Sequence, residues 1–130
     1  MKIRFVVIDD AAFLRELIKN IMSATGASCV GEAADGDEGV HLVQSVLPDL
    51  VFLDMVMPKK NGIETARMIK EVHPDVKIVG CSTIDNDDLI QNAMDAGFDI
   101  YIAKPFTKEQ LIKAVRKVLP QLEETSHGRT

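Results

Sequence analysis

Six polar residues sit where apolar runs end, and their types suit the handling of a phosphoryl group. Asp9-Asp10 closes the run Ile3–Ile8, and Asp54 closes Leu50–Leu53. Ser82-Thr83 closes Val76–Cys81, and Lys104 closes Asp99–Ala103. Short continuous apolar runs rich in β-favouring residues read as strands buried on both faces. Each polar residue alone has an ordinary explanation: an Asp after a strand often caps a helix, and a Lys before a Pro is often surface. If the strands are parallel, however, all of these residues gather at the carboxyl edge of one sheet, where α/β folds place their ligands. Three acids, a hydroxyl and a lysine at the same end of different strands are hard to obtain by chance.

The chemistry follows from charge. Carboxylates within a few ångströms of one another repel, and their pKa values rise unless a cation joins them. An all-oxygen donor set with room for water suits magnesium. With a magnesium ion and a lysine beside it, Asp54 stays ionised and can attack an electrophile. Phosphoryl transfer needs an in-line nucleophile, with positive charge and donors around the equatorial oxygens. There is no Gly-x-x-x-x-Gly-Lys loop for a nucleotide. No base stands beside a Ser or Cys in the manner of a hydrolase triad.

Bringing these residues to one edge requires helices between the strands. Ala11–Thr25 has apolar residues at 13, 14, 17, 18, 21 and 22, the spacing of one helical face. Gly26 is placed to stop it. Cys29–Ala34 reads as a second strand, and Asp35-Gly36 as a turn. A helix from about Asp37 carries Val40, Val43 and Leu47 and closes at Pro48. Asn61-Gly62 is a turn signal before a helix with Ile63, Ala66, Ile69 and Val72, stopped before Pro74. Asp85–Asp88 is an acidic entry, suited to the positive end of a helix dipole. The helix that follows holds Leu89, Ile90, Ala93 and Met94, and Gly97 ends it. Thr107 and Gln110 form a capping box ahead of Leu111, Ile112, Val115, Val118 and Leu119. Five strands alternating with five helices imply an α/β, doubly wound parallel sheet covered on both faces. The domain is expected over 1–120, with a polar tail over 121–130.

Composition narrows the function. The 130 residues carry a net charge of −5, which disfavours direct nucleic-acid binding. No apolar run approaches the ~20 residues of a membrane span. The start of the chain runs straight into a strand pattern without a signal peptide, so a cytoplasmic location is expected. Cys29 and Cys81 both fall in strand patterns and read as small core residues. His41, His73 and His127 show no ligand spacing and read as surface residues, which disfavours a zinc site.

From Lys2 to Leu119 the chain resembles the receiver domain of two-component response regulators. The matching pieces are Asp9-Asp10, Asp54-x-x-Met57-Pro58 with Gly62, the hydroxyl closing the fourth strand, Ala96-Gly97 and Lys104-Pro105-Phe106. Asp9-Asp10-Ala11-Ala12-Phe13-Leu14-Arg15 is similar to the CheY-like, chemotaxis-type single-domain members. The resemblance implies a flavodoxin-like fold with strand order 2-1-3-4-5, the known order of CheY itself. That order would put two strands between those of Cys29 and Cys81. Their separation would then be about 14 Å at ~4.8 Å per step, beyond the ~7 Å a disulfide spans.

The resemblance also implies the roles. Asp54 accepts a phosphoryl group from the phosphohistidine of a CheA-like histidine kinase, or from a small phosphodonor. Asp10, Asp54 and the Val56 backbone carbonyl ligate Mg²⁺, and Asp9 holds it through water. Lys104 pairs with the phosphoryl oxygens, and the Lys104-Pro105 peptide is cis. Family spacing selects Ser82, over Thr83, as the switch hydroxyl, and Tyr101 as the switch aromatic that turns from solvent into the interior. The chain is then no conventional enzyme but a phosphoacceptor switch that catalyses its own phosphorylation and dephosphorylation. The face made by the fourth helix, fifth strand and fifth helix docks an output protein, a flagellar motor component or similar. With no linker after the last helix, a stand-alone monomer in chemotaxis or motility signalling is expected. The alternatives are a phosphorelay intermediate and a receiver fragment of a longer DNA-binding regulator. An α/β enzyme or flavin module lacks the loops and phosphate-binding glycines for its site.

Departures from the family pattern are Lys60 for an apolar loop residue, Phe98 for a small residue and Thr83 for alanine. Val56 and Ile84 occupy the positions that tune dephosphorylation, and both are apolar.

Overall fold

Residues 2–57, 61–83 and 86–121 are described by a computed structural model. Five parallel strands form one sheet: β1 (Arg4–Ile8), β2 (Ser28–Ala33), β3 (Leu50–Asp54), β4 (Lys77–Ser82) and β5 (Ile100–Ala103). Their order is β2-β1-β3-β4-β5. Between and after them run α1 (Ala12–Ser23), α2 (Gly36–Val46), α3 (Gly62–Val72), α4 (Asp87–Ala96) and α5 (Lys108–Val118). This is the doubly wound, flavodoxin-like architecture expected. Pairing carries the chain from β1 to β2 on one side and to β3 on the other, so the switch point lies between β1 and β3.

The unbroken apolar strands follow from burial on both faces. Phe5 and Val7 of β1, with Leu50 and Phe52 of β3, face one core with Ile18 and Met22 of α1 and Leu111 and Val115 of α5. The alternate residues Val6, Ile8, Val51 and Leu53 face a second core with Val40, Val43, Ala66, Ile69 and Ala93 of α2, α3 and α4. Phe5 and Phe52 meet edge to face with centroids 5.8 Å apart. Each such fully buried side chain contributes roughly 1.5–3 kcal/mol, so β1 and β3 make a firm floor for whatever stands at their ends.

Several ends differ from the sequence reading. Asp35 is not in a turn but caps α2, its side chain accepting the Glu38 N–H, and Gly36 is the first helical residue. Asn61 caps α3 in the same way through the Glu64 N–H. At α4 the cap is Asn86, which accepts from the Asp88 and Leu89 amides, and Asp87 and Asp88 occupy the first turn. An Asx side chain offers the same carbonyl to a turn or to a helix start, so the sequence could not separate the two. Gly26 (φ +88°) and Gly97 (φ +128°) hold the positive φ expected of helix stops. The Thr107–Gln110 capping box is present.

Cys29 is exposed on the edge strand β2, and only Cys81 belongs to the core; both are free thiols. His41 is exposed, but His73 is half-buried, with Nε2 2.7 Å from the Pro48 carbonyl oxygen. His127, Lys60, Ile84 and the tail beyond Gln121 lie outside the described residues. Phe98 is buried and lies against Gly80, where an added Cβ would come within 2.5 Å of its ring. The large residue after Gly97 is therefore matched by a glycine on β4.

Candidate functional site

The carboxyl ends of β1, β3, β4 and β5 converge. Asp9 follows β1 and is buried, its N–H donating to the Ala33 carbonyl at 3.0 Å. Its Oδ1 accepts from the Ala11 N–H at 2.8 Å and its Oδ2 from Lys104 Nζ at 3.1 Å. Asp10 is exposed at the rim. Asp54 ends β3, is 6% exposed, and accepts the Val56 N–H on Oδ1 at 3.1 Å. Lys104 Nζ lies 3.5 Å from its Oδ2. One oxygen from each of Asp9, Asp10 and Asp54 falls within 4.8 Å of the others.

The loop after Asp54 is pressed into shape by Gly62. Its N–H donates to the Met55 carbonyl at 3.1 Å, and an added Cβ would lie 2.5 Å from the Asp54 carbonyl oxygen. Only a residue without a side chain allows α3 to start this close to the aspartate.

Ser82, buried, ends β4, and its carbonyl accepts the Lys104 N–H at 2.8 Å and the Tyr101 hydroxyl at 3.2 Å. Tyr101 is half-buried against the α2–α3–α4 core. Its hydroxyl is thus tied to the backbone at the end of β4. The Lys104–Pro105 peptide is cis. Thr83 is exposed beside Ser82, and Val56 is 56% exposed.

The electrostatics are those of crowded acids. Burial pushes the Asp54 carboxyl above its ordinary pKa; the Val56 N–H opposes this, while Asp9 adds to it. For Lys104, burial works against the ammonium, but Asp54 and Asp9 outweigh it and hold the pKa above the usual value. Beneath them, burial lifts the Cys81 thiol to about 12, so it stays neutral. Three carboxylates against the one Lys104 ammonium leave two negative charges among these four groups. A hard divalent cation fits that oxygen set and that charge.

One pair of residues in this neighbourhood has no role of its own in the sequence pattern. Arg15 of α1 donates from Nη1 to the Asp9 carbonyl at 2.6 Å and from Nε to Glu32 of β2 at 2.7 Å. A cation one turn into a helix is too common a feature to be read as part of a site.

A model of the response regulator receiver domain matches residues 5–116. The chain belongs to the response regulator receiver family. It is 36% identical to the chemotaxis protein CheY of Thermotoga maritima over 115 residues, covering 88% of this chain and 96% of that protein. It is 34% identical to CheY of Bacillus subtilis over 116 residues, covering 89% and 97%. The transcriptional regulatory protein DegU of Brevibacillus brevis is 34% identical over 118 residues, which are 90% of this chain but 50% of that protein. Among solved structures, CheY of Borrelia burgdorferi, in a CheX–CheY–BeF3–Mg complex, is 25% identical with a TM-score of 0.86, covering 89% of this chain and 88% of that one. The NarL receiver domain of Mycobacterium tuberculosis is 30% identical with a TM-score of 0.82, covering 94% and 97%.

Receiver domains are phosphoacceptors of two-component signalling and bind Mg²⁺ at an acidic pocket. In this chain Asp9, Asp10 and Asp54 form an acidic cluster whose oxygens lie close enough together to hold a metal ion. Among the described residues no helix is long and apolar enough to cross a membrane.

Proposed function

We propose that Asp54 accepts a phosphoryl group from the phosphohistidine of a CheA-like histidine kinase, or from a small phosphodonor, and that the modified domain changes its binding partner. The observation that carries this reading is the meeting of Asp9, Asp10 and Asp54 within 4.8 Å, with Lys104 Nζ between Asp9 and Asp54. Asp10, Asp54 and the Val56 carbonyl would hold Mg²⁺. Asp9, whose oxygens already accept from Ala11 and Lys104, would reach it through water. When bound, the ion supplies positive charge against the incoming phosphoryl oxygens.

Asp54 attacks phosphorus with one carboxylate oxygen, and the donor's imidazole leaves as its bond to phosphorus breaks. Lys104 moves its donors from the two carboxylates toward the new phosphoryl oxygens. Ser82 donates its hydroxyl to the same group and draws the end of β4 inward. Because the Tyr101 hydroxyl is anchored on the Ser82 carbonyl, that movement is felt on the α4–β5–α5 face. An output protein, in the motor or an equivalent assembly, docks there. The modification shifts this equilibrium only by as much as it stabilises one state over the other. An apolar groove of about 180 Å³ lined by Phe13, Leu14, Leu17, Pro105 and Phe106 adjoins Lys104 and favours a protein donor. The domain works as a monomer over residues 1–120, in the cytoplasm with its kinase.

A second reading, the receiver module of a longer regulator, is favoured by the match to half of DegU. One measurement tests the phosphoacceptor assignment common to both readings, and a second separates them. Asp54→Asn abolishes acyl-phosphate formation from acetyl phosphate and Mg²⁺; labelling at the wild-type rate overturns the assignment. Pull-down with and without beryllofluoride recovers a motor-type partner for the first reading. A histidine phosphotransfer protein would mark a phosphorelay intermediate, and self-association the longer regulator.

A further inference from the structure

Asp9 has a partner on each of its polar atoms, and one of them reaches in from outside the acidic cluster. The Arg15 guanidinium donates to the Asp9 carbonyl oxygen at 2.6 Å and to Glu32 Oε1 at 2.7 Å. The other Glu32 oxygen accepts from Lys19 Nζ at 2.6 Å, and Lys19 is also paired with Glu16. The Arg15 side chain is only 18% exposed, so this is more than a loose surface pair. Lys19 and Arg15 hold the Glu32 carboxyl below its ordinary pKa, and it remains an ionised brace.

The Asp9 carbonyl is one edge of the rigid peptide plane that ends at the Asp10 Cα. Everything else at Asp9 is already fixed: its N–H on Ala33, and its carboxylate on Ala11 and Lys104. Asp10 is exposed, so packing does little to aim its side chain. The direction of its backbone does, and that direction is set by the plane Arg15 grips. A planar fork with donors pointing two ways can hold the Asp9 carbonyl and Glu32 at once; an ammonium on a flexible stem holds such a pair poorly.

We infer that Arg15, braced by Glu32 of the edge strand, is a positioning residue for the acidic cluster: it fixes the Asp9–Asp10 peptide and so presents the Asp10 carboxylate toward Asp54. This rests on the proposed phosphoacceptor reading, in which Asp10 is a cation ligand. An ordinary ion pair joining α1 to β2 would affect stability slightly and leave the site untouched.

The test uses the full chain as wild type, Arg15→Met, Arg15→Lys and Glu32→Ala. Mg²⁺ affinity is read by calorimetry, Ala11 amide exchange by NMR in metal-free protein, and the fold by thermal unfolding. Loss of a supporting residue typically weakens a metal site by about tenfold or more. Arg15→Met is expected to weaken Mg²⁺ binding by about that factor and to speed Ala11 exchange, since that amide is bonded to Asp9 Oδ1. Glu32→Ala gives the same changes at a smaller size, and Arg15→Lys falls between wild type and Arg15→Met. Wild-type Mg²⁺ affinity in both Arg15→Met and Glu32→Ala overturns the inference. If Arg15→Met does not fold, Glu32→Ala decides alone. If the wild type itself neither binds Mg²⁺ nor becomes labelled on Asp54, it is the phosphoacceptor reading that fails. Unchanged Ala11 exchange in the variants would then overturn the brace on its own account.

Discussion

The Asp54 carboxylate is buried beside Asp9, with one ammonium between them, and that arrangement has a stability cost as well as a chemical use. Its pKa is raised, chiefly by burial, so the folded state binds the proton more tightly than the unfolded state does. Stability in metal-free protein therefore falls as pH rises through the window from the ordinary carboxylate range up to the raised value, and the cost is full above it. Asp54→Asn removes that cost. Its melting temperature without metal is expected to exceed wild type by several degrees at neutral pH, the gap closing as pH falls below the ordinary Asp range. A gap independent of pH would rule out the charge as its cause.

Two residues further on, Val56 is more than half exposed. A valine there has no polar atom to orient an attacking water. Slow loss of the phosphoryl group is expected, and Val56→Asn should speed phosphate release several-fold. Equal release rates in the two proteins would show that the position has no part in setting signal lifetime.

At the scale of elements, the start of α3 leaves no room for a side chain against the end of β3. A Cβ on Gly62 would meet the Asp54 carbonyl oxygen and the Met55 Cα, each at 2.5 Å. Both are backbone atoms and cannot swing aside as a side chain could. Gly62→Ala must displace the helix or the loop, at about 1–3 kcal/mol, and should slow Asp54 labelling as well. Chemical denaturation and acetyl phosphate labelling on the same protein would check both halves; a destabilised protein labelled at the normal rate would separate packing from site geometry. Gly80 is a contrasting case, since a Cβ there meets the Phe98 ring rather than backbone. The glycine and the bulky residue are complementary, and the departure at Phe98 is accommodated without loss of core packing.

At the scale of the whole molecule, Ser82 joins the site to the face beyond it. Its carbonyl accepts from both Lys104 and Tyr101, so a shift at the end of β4 reaches β5 through two hydrogen bonds. Tyr101 is the only tyrosine in a chain without tryptophan, which makes its fluorescence a direct readout. Beryllofluoride with Mg²⁺ should change that emission in the wild type but not in Ser82→Ala. A change that persists in Ser82→Ala would mean the coupling runs by another route.

Much of this molecule is legible in its residue pattern. Burial of a parallel sheet on both faces requires unbroken apolar strands, and a polar residue ending such a strand has only the carboxyl edge to occupy. That places Asp9, Asp54, Ser82 and Lys104 together from pattern alone. The strand order comes with the family resemblance rather than from periodicity, because nothing local distinguishes one neighbour from another.

What only the tertiary structure decided were matters of which atoms meet. Asp35 is a cap rather than a turn because the Glu38 amide arrives at its side chain. Cys29 is exposed because its strand falls at the edge of the sheet. Arg15 grips the Asp9 carbonyl because α1 crosses beside β2 and Glu32 stands there to brace it. Residue type and spacing settle which groups share an edge, since they follow from burial and the period of the strand. Distances between groups far apart in sequence depend on how helices seat against the sheet, and no local pattern encodes that.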